Sequence, residues 1–525
     1  MQKPSCGRLI PREGFFALSK QNIYDIVLTM EACVVRHILL RRKREVMVRE
    51  VINRKSVLLI ILLAIYNFCF LGTEYFFDDM MALLTSSAGV VNAQNIVLGA
   101  SFIGVVAYAF FCRYFSQRMK KIMSVLACAV CIICEFIIWQ HKSYAQVMGA
   151  GLVCFVIMGV AGSAVCHVIN QNISNRKHLA KTIGMAYALG VFIQYLNNNF
   201  VKSNLAEWIT IAVFMVVFLN IIFAVHYKCI EESEILSDEK REIPFYDMKL
   251  TEPQKVLAAL IVCVALMTVI FSTLDNAVTL VHASGDYNIG QWARLLLACS
   301  GLAAGFIYDI KGRCFMPFIM FLITVMSVAS IVIIEMGGSF VIGLLVFYIS
   351  AGFFVVFFMT SFMDISIQMK EPRLWVGMGR GINNVCAILL TVFSVYLLEQ
   401  GSQIFILIIS LLLFILITCA VIAYYVPYFT AYKLMEESAM KEEMLKQLPK
   451  NVDADKVDAF AEAYNFNERE KEVLVQLLTN RDGVNSMIKQ LYISRSSFYR
   501  YIDKMCDKTN TGSRKEFLKC FSDWE

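Results

Sequence analysis

Charged side chains are scarce in this sequence. Asp, Glu, Lys and Arg make up 17% of its 525 residues, against about 25% in an average soluble protein. The shortage is uneven, because residues 56–228 and 255–428 contain few charges whereas 1–55, 228–255 and 430–525 are rich in them. With 58% hydrophobic residues and a mean hydropathy of +0.62, this balance is typical of a polytopic membrane protein and argues against a soluble one. Two apolar blocks are framed by three water-facing segments.

Motifs of catalysis and of metal binding are also absent. The sequence contains no Ser-His-Asp set, no phosphate-binding loop and no zinc-ligand spacing. We therefore expect no enzyme activity, no cofactor and no metal. The 17 cysteines lack the paired framework of a secreted domain, so disulfide bonds are not expected. Cys128, Cys131 and Cys134 form a stripe at three-residue spacing, which favours helix packing over a redox or metal sensor.

A cleavable secretory signal is lacking at the N-terminus. Eight Arg and Lys residues lie between Arg36 and Lys55, before the first long apolar run. Two interpretations stay open. Residues 20–52 form a basic amphipathic helix on an anionic membrane surface, or translation begins at Met30 or Met47.

Long apolar runs are what the sequence has in abundance. Twelve of them approach the roughly 17 to 25 residues that a helix needs to cross a bilayer. Six are predicted at 57–77, 94–115, 122–139, 146–168, 180–201 and 206–227, and six more at 256–276, 289–308, 315–335, 340–364, 375–398 and 403–427.

The positions of Lys and Arg between these runs predict the orientation of the chain. Basic residues such as Arg118 and Lys120 concentrate in loops that follow even-numbered runs, whereas loops after odd-numbered runs contain only Lys142 and Lys202. Both termini are therefore predicted to be cytoplasmic. The expected location is the inner membrane of a bacterial cell.

A motif at the end of the eighth run reads Gly305-Phe-Ile-Tyr-Asp309-Ile-Lys311-Gly312-Arg313. It resembles the G-x-L-x-D-R-x-G-R motif of the major facilitator superfamily, whose two six-helix halves match the layout predicted here. The resemblance implies a structural gate of Gly305, Asp309, Gly312 and Arg313, with Asp309 pairing with basic loop residues and a neighbouring helix end. The equivalent first-half stretch, 110–118, has lost the glycine and the aspartate, which argues against a working transport cycle.

The C-terminal segment has the pattern of short amphipathic helices. Asn467 and Glu470 have the spacing of a capping box that opens a helix whose apolar positions are Val473, Leu474, Leu477 and Leu478. Ser494 is predicted to cap a second helix in which Phe498, Ile502 and Met505 face inward. From 487 to 515, seven Lys and Arg stand against two Asp, a net charge of +5 suited to phosphate contacts.

This segment resembles the LuxR-type helix-turn-helix family. Asn467-Glu-Arg-Glu-Lys-Glu-Val-Leu474, Leu491-Tyr-Ile-Ser494 and Lys508 with Arg514 follow the order of the family's motifs over about 50 residues. The resemblance implies promoter DNA as partner, homodimers on paired half-sites, and DNA contacts by Arg495, Ser496, Ser497, Tyr499, Arg500, Tyr501, Lys504 and Lys508. Tyr499 and Tyr501 stand where the family usually has Lys and His, and one residue is inserted around 481–486. The alternative is a basic protein-binding module.

The predicted architecture is all-α, with a twelve-helix bundle of two six-helix halves and a small four-helix domain at the C-terminus. The boundaries are 1–55 for a basic cytoplasmic segment, 56–227 and 255–428 for the membrane halves, 228–254 for a charged loop, 429–464 for a helical linker and 465–525 for the DNA-binding domain.

Polar residues inside apolar runs are candidates for ligand binding, because burying them in a membrane is costly. The predicted set is Asn67, Glu74, Asn198, Asp275 and Arg294. Asp275 and Arg294 either form a structural pair or bind a charged ligand. Asp364 and Arg380 are predicted to form a closing latch near the inner face.

These observations give one hypothesis and two rivals. The first is a membrane-embedded regulator in which an unknown small molecule in the bundle shifts a conformational equilibrium and so controls DNA binding. The main rival is a transporter with an appended regulatory domain. A third possibility is cleavage of the tail to release a soluble factor.

Overall fold

A computed structural model describes residues 56–173, 175–235, 250, 252–283, 292–335, 340–400, 403–446, 454–479 and 484–524. The N-terminal segment 1–55, with its alternative start sites, and most of the loop 228–254 lie outside the described residues. Every regular element in the described ranges is helical. The chain divides into two compact units, one ending at Val426 and the other beginning at Pro427.

Helices occupy all twelve positions predicted for membrane spans. In the first half these are α1 Ser56–Ala82, α2 Ser87–Tyr114, α3 Gln117–Gln140, α4 Tyr144–Asn172, α5 Leu179–Phe200 and α6 Asn204–Ile235. The second half has α7 Pro253–Ala283, α8 Trp292–Tyr308, α9 Met316–Glu335, α10 Phe340–Ser366, the short α11 Pro372–Trp375, α12 Met378–Gln400 and α13 Gln403–Lys446.

Ten helices in the described ranges are long and apolar enough to cross a membrane. The apolar α8 has 17 residues and falls just short. The predicted multi-pass, all-α membrane protein is confirmed, while the count of twelve crossings stays a prediction.

Burial separates central helices from peripheral ones. The apolar window of α1 is 67% buried inside the protein, against 22% for α3. Helix α3 presents Ile122, Val125, Leu126 and Ile133 outward, as a helix surrounded by lipid does.

Close contact between α2 and α4 depends on two glycines. A Cβ at Gly104 would overlap the carbonyl oxygen of Val156, and one at Gly159 would overlap that of Ser101. Small residues allow helix backbones to approach each other in this way, so neither position tolerates a side chain without moving a helix.

The C-terminal unit contains five short helices packed around one apolar core: α14 Ala454–Ala463, α15 Glu468–Thr479, α16 Val484–Leu491, α17 Arg495–Lys508 and α18 Arg514–Asp523. Four helices were predicted from residue 465 onward. The additional helix α14 lies in the predicted linker, and its Phe460 packs against Phe517 and Phe521 with ring centroids 6.2 and 5.0 Å away. The packed core therefore begins before residue 465.

Candidate functional sites

A cavity of about 160 Å³ lies among helices of both halves of the membrane bundle. Five of its wall residues are on α1, at positions 70, 71, 74, 75 and 78, a spacing that places them on one helix face. Other wall residues are on α2, α5, α7, α8, α10 and α12. Aromatic rings supply much of the lining, in the side chains of Phe70, Tyr75, Tyr187, Phe271, Phe347, Tyr348, Phe354 and Phe358.

The cavity wall carries charges of both signs. Its carboxylates belong to Glu74, Asp78 and Asp275, and its guanidinium groups to Arg294 and Arg380. Within the described part of the chain, no carboxylate–guanidinium pair at 4.0 Å or less joins these five side chains. The structure therefore does not show the predicted Asp275–Arg294 ion pair.

Hydrogen bonds and aromatic rings orient the charged groups. Gln94 Nε2 donates to Glu74 Oε1 at 2.9 Å, and Arg380 Nη2 donates to Asn67 Oδ1 at 3.3 Å. The Arg380 guanidinium lies 4.6 Å from the Phe70 ring centroid, a cation–π geometry. The Arg294 guanidinium lies 5.7 Å from the ring centroid of Tyr75, another residue of the α1 wall.

Several polar atoms at the cavity have no hydrogen-bond partner in the described chain. They are Asp78 Oδ1, Gln94 Oε1, Arg294 Nε and Asn67 Nδ2. Buried polar atoms are normally hydrogen-bonded. Asp78, Gln94 and Arg294 line the cavity, which thus offers two acceptors and one donor to a guest molecule.

The structure brings most of the predicted ligand residues together. Glu74, Asp275 and Arg294 line the cavity, and Asn67 adjoins it through Arg380, whereas Asn198 is outside its lining. Their part in ligand binding stays a prediction.

The sequence reasoning missed Asp78 as a cavity residue. Asp78 follows Glu74 by four residues, so helical spacing alone puts both on the same face of α1. This signal was available in the sequence but was not used.

A buried network centred on Arg313 joins the end of α8 to the start of α5 and the end of α10. Arg313 has no exposed side-chain surface; its Nε and Nη2 donate to the two carboxylate oxygens of Asp364 at 2.7 and 3.1 Å. Its Nη1 donates to Asp309 Oδ1 at 3.0 Å and to Arg176 O at 2.7 Å. Arg176 also approaches Asp364 at 3.4 Å. We call these four residues the Arg313 latch.

Asp309 ties the latch to the first turn of α5. Its carboxylate accepts the backbone N–H groups of Ala180 and Lys181 at 3.2 and 2.7 Å, where the helix dipole favours negative charge. The predicted pairing of Asp309 with a basic loop residue and a helix end is confirmed.

The two glycines of the motif have distinct roles. Gly305 lies where α8 crosses α5, and a Cβ there would be 2.8 Å from Ala180 O. Gly312 has φ 62° in the turn that leads to Arg313, a conformation that glycine adopts without strain.

The predicted latch between Asp364 and Arg380 is wrong. Asp364 binds Arg313 and Arg176, while Arg380 faces the cavity and contacts Asn67 and Phe70. Arg313 reaches Asp364 because the turn after α8 packs beside the end of α10, which sequence spacing does not reveal.

A second contact between the halves lies at the other end of the bundle, where α1 and α7 end. His282 Nε2 is 3.3 Å from Asp79 Oδ1, and the His282 ring lies 5.2 Å from the ring of Tyr75. Asp79 is 37% exposed, in contrast to the fully buried Arg313. Toward the same end, Asn95 Nδ2 on α2 donates to Asn276 Oδ1 on α7 at 2.8 Å and also joins the halves.

In the C-terminal unit, α17 has the predicted cap and the predicted inward face. Ser494 Oγ accepts the backbone N–H of Ser497 at 3.1 Å. Phe498, Ile502 and Met505 are buried in the core. The cap and apolar spacing of this helix are therefore confirmed.

The opposite side of α17 is exposed and basic. Arg495, Ser496, Tyr499, Arg500 and Lys504 are exposed, whereas Ser497 and Tyr501 are half-buried. Tyr501 packs against the apolar core. Asp503 and Asp507 on the same side of the helix are also exposed, so its net charge is small and positive. We call Arg495, Ser496, Tyr499, Arg500 and Lys504 the α17 basic face.

Lys508, the last predicted DNA contact, is also exposed, and its ammonium group is paired within the unit. Its Nζ donates to Glu470 Oε2 at 2.6 Å and to Asn465 O at 2.7 Å. Burial alone raises the pKa of Glu470, but the hydrogen bonds from Lys508 and from the N–H of Asn467 outweigh it and lower the pKa. Asn467 and Glu470 form the predicted capping box, with bonds of 2.8 and 2.9 Å.

Comparison with known proteins finds similarity at the level of fold alone. No protein-family model and no curated protein matches the sequence. Two structures of a POT family transporter, one with a thioalcohol-conjugated peptide and one with 5-aminolevulinic acid, each have a TM-score of 0.51 and 9% identity. Each alignment covers 70% of this chain and 96% of the transporter. The human organic anion transporter MFSD10 gives a TM-score of 0.49 at 12% identity, covering 70% and 99%.

The two POT family structures, each with a TM-score of 0.51, establish the fold of the membrane unit. It is a helical bundle like that of these transporters, which is the kind of arrangement expected from the Gly305–Arg313 motif. At such low identity the similarity defines the fold and leaves ligand and activity open.

Proposed function

We propose that this protein is a membrane-embedded one-component transcriptional regulator. A small molecule binds in the bundle cavity and thereby controls DNA binding by the C-terminal unit. The observation that carries the proposal is α17, whose cap and buried apolar side leave the α17 basic face exposed. A capped helix that presents Arg and Lys on one side is the usual reader of the major groove in helix-turn-helix proteins.

The assignment of the DNA contacts follows from exposure. Arg495, Arg500 and Lys504 supply positive charge for phosphates and base edges, while Ser496 and Tyr499 supply hydrogen-bond donors. Ser497 lies at the first turn beside the cap. Tyr501 and Lys508 support this helix from within the unit, since both contact its core or its neighbours. The LuxR-type order of motifs supports the same assignment and, with it, homodimers on promoter DNA.

The proposed switch requires a membrane unit with two conformations. The Arg313 latch joins the halves through three sets of contacts: Arg313 Nη1 to Arg176 O, Arg176 to Asp364, and the N–H groups of Ala180 and Lys181 to Asp309. In the proposal these contacts form and break together. A ligand shifts such an equilibrium only by its difference in affinity for the two states. The cavity contacts both halves, so a guest there can provide that difference.

The proposed orientation places both termini in the cytoplasm of a bacterial cell, with the bundle in the inner membrane. It rests on the concentration of Lys and Arg in loops after even-numbered helices. A C-terminal unit on that side has access to the chromosome.

The test is promoter binding by the full-length protein in lipid nanodiscs. Arg500→Ala is expected to weaken binding to DNA upstream of its own gene by about tenfold, because each charge-assisted contact is worth on the order of 1–2 kcal/mol. Lys519→Ala, an exposed basic residue on α18, is the matched control and should have a smaller effect. Equal affinity of wild type and Arg500→Ala in a low-salt titration would remove the regulator proposal.

A transporter is the second candidate, favoured by the shared fold and by the enclosed cavity. Counterflow into proteoliposomes distinguishes it from the regulator. Accumulation of a substrate that depends on Arg380 would favour transport, and ligand binding without accumulation would favour the sensor.

A further inference from the structure

We infer that the cavity binds a small zwitterion of amino-acid size, which carries one ammonium and one carboxylate group. The inference rests on the proposed function, in which this cavity holds the small molecule, and it specifies the chemical class. It follows from the signs, spacing and free hydrogen-bonding atoms of the cavity wall.

The charges of the wall call for a ligand that is itself doubly charged. Asp78 is 7% exposed. Within the described residues, neither its Oδ1 nor Nε of Arg294 has a hydrogen-bond partner. An uncompensated charge in a dry site is costly. A monovalent amine or a monovalent acid would satisfy one sign and leave the other unpaired.

Helix α1 supplies a scale for the distance between the charges. Arg380 lies over Phe70 and Arg294 over Tyr75, while the carboxylates extend from Glu74 and Asp78, so that the widest separation of opposite charges runs from Phe70 to Asp78. Glu74 and Asp78 follow Phe70 by four and eight residues, so at about 1.5 Å per residue they lie about 6 and 12 Å from it along α1. Two ionic contacts of about 3 Å each leave at most about 6 Å between the charged groups of the ligand. α-Amino acids and short ω-amino acids meet this limit.

The volume of the cavity indicates a ligand of the same size. A protein cavity of about 150 Å³ holds one benzene molecule, and this cavity measures about 160 Å³. The guest therefore has few heavy atoms. The surrounding rings of Phe271 and Phe354, stacked with centroids 4.4 Å apart, offer an apolar surface for its methylene groups.

The experiment measures thermal unfolding of the full-length protein in detergent in the presence of each of five matched ligands. L-Alanine and 4-aminobutyrate are the zwitterions; n-butylamine and butyrate each lack one charge; 8-aminooctanoate keeps both but is too long. We expect one or both short zwitterions to raise the Tm in a saturable way. The other three should leave it unchanged.

Two variants locate the effect in the cavity. Asp78→Asn and Arg380→Gln should each weaken the apparent Kd for the stabilising zwitterion by about 30-fold or more, as expected when one partner of a buried charge pair is lost. Glu252→Gln and Lys255→Gln serve as controls, because each likewise removes one negative or one positive charge, here from an exposed pair at the start of α7. They should bind like wild type.

Three results would overturn the inference: stabilisation by butylamine or butyrate equal to that by a zwitterion, unchanged affinity in Asp78→Asn and Arg380→Gln, or no response to either short zwitterion. Its failure is separable from that of the proposed function. Zwitterion binding by a protein that ignores DNA would overturn only the regulator. DNA binding that responds only to a singly charged ligand would overturn only the inference that the ligand is a zwitterion.

Discussion

Removing the charge of Asp364 should open the Arg313 latch at the turn that follows α8. In Asp364→Asn the guanidinium of Arg313 keeps Asp309 but loses its bidentate carboxylate partner, whose oxygens lie 2.7 and 3.1 Å away. Breaking a buried ion pair by removing one partner costs about 3–5 kcal/mol. Since Asp309 still compensates part of the charge, we take the lower end, about 3 kcal/mol. The equilibrium constant for opening should therefore rise by roughly a hundredfold.

A native thiol reports on this opening. Cys314 follows Arg313 directly and is 1% exposed while the latch is closed. In Asp364→Asn, its modification by a water-soluble maleimide should accelerate by roughly a hundredfold when the latch opens and closes quickly. The rate is measured by mass spectrometry on the peptide that contains Cys314, so the other cysteines do not interfere.

The control is Lys311→Gln in the same turn. Lys311 is exposed and lies outside the latch, so the labelling rate should stay close to that of wild type. Equal reaction rates of Cys314 in Asp364→Asn and wild type would show that the Arg313–Asp364 pair does not hold this turn closed.

Three further outcomes are expected. Ser494→Ala removes the α17 cap and should lower the unfolding free energy of the C-terminal unit by about 1 kcal/mol in chemical denaturation; no change would mean that the cap is dispensable. Gly159→Ala should reduce the yield of folded protein in size-exclusion chromatography, whereas Gly149→Ala, which meets open space, should not; equal yields would contradict the close approach of α2 and α4. Because the folded pKa of Glu470 is lowered, its stabilising effect is present above its unfolded pKa, about 4.3, and is lost as pH falls through the folded value. Glu470→Gln should therefore flatten the pH dependence of unfolding below pH of about 5, and an unaltered curve would rule out this linkage.

Local patterns in the sequence predicted local structure well. The capping box at Asn467 and the cap at Ser494 depend on contacts within three residues, and both are formed. Apolar spacing likewise predicted the core residues Phe498 and Met505. Such features are encoded by neighbouring residues and need no knowledge of the fold.

Contacts between distant helices were predicted less well. Asp364 was assigned to Arg380, yet its partner Arg313 is 51 residues away. The inclusion of α14 in the C-terminal core was missed for the same reason, since Phe460 meets its aromatic partners more than 50 residues later. Where a charge or ring finds its partner depends on how helices cross, and spacing along one helix carries no such information.

The described contacts at the two ends of the membrane bundle differ in how deeply they are buried. At one end, the described contacts between the halves include the His282–Asp79 contact, in which Asp79 is more than one-third exposed, and the buried Asn95–Asn276 hydrogen bond. Exposed ionic contacts contribute little. At the other end, the buried guanidinium of Arg313 donates four hydrogen bonds, to Asp364, Asp309 and Arg176 O. Separating the halves at the Arg313 end breaks hydrogen bonds of charged groups that are largely shielded from water, whereas the His282–Asp79 contact at the opposite end is already partly hydrated.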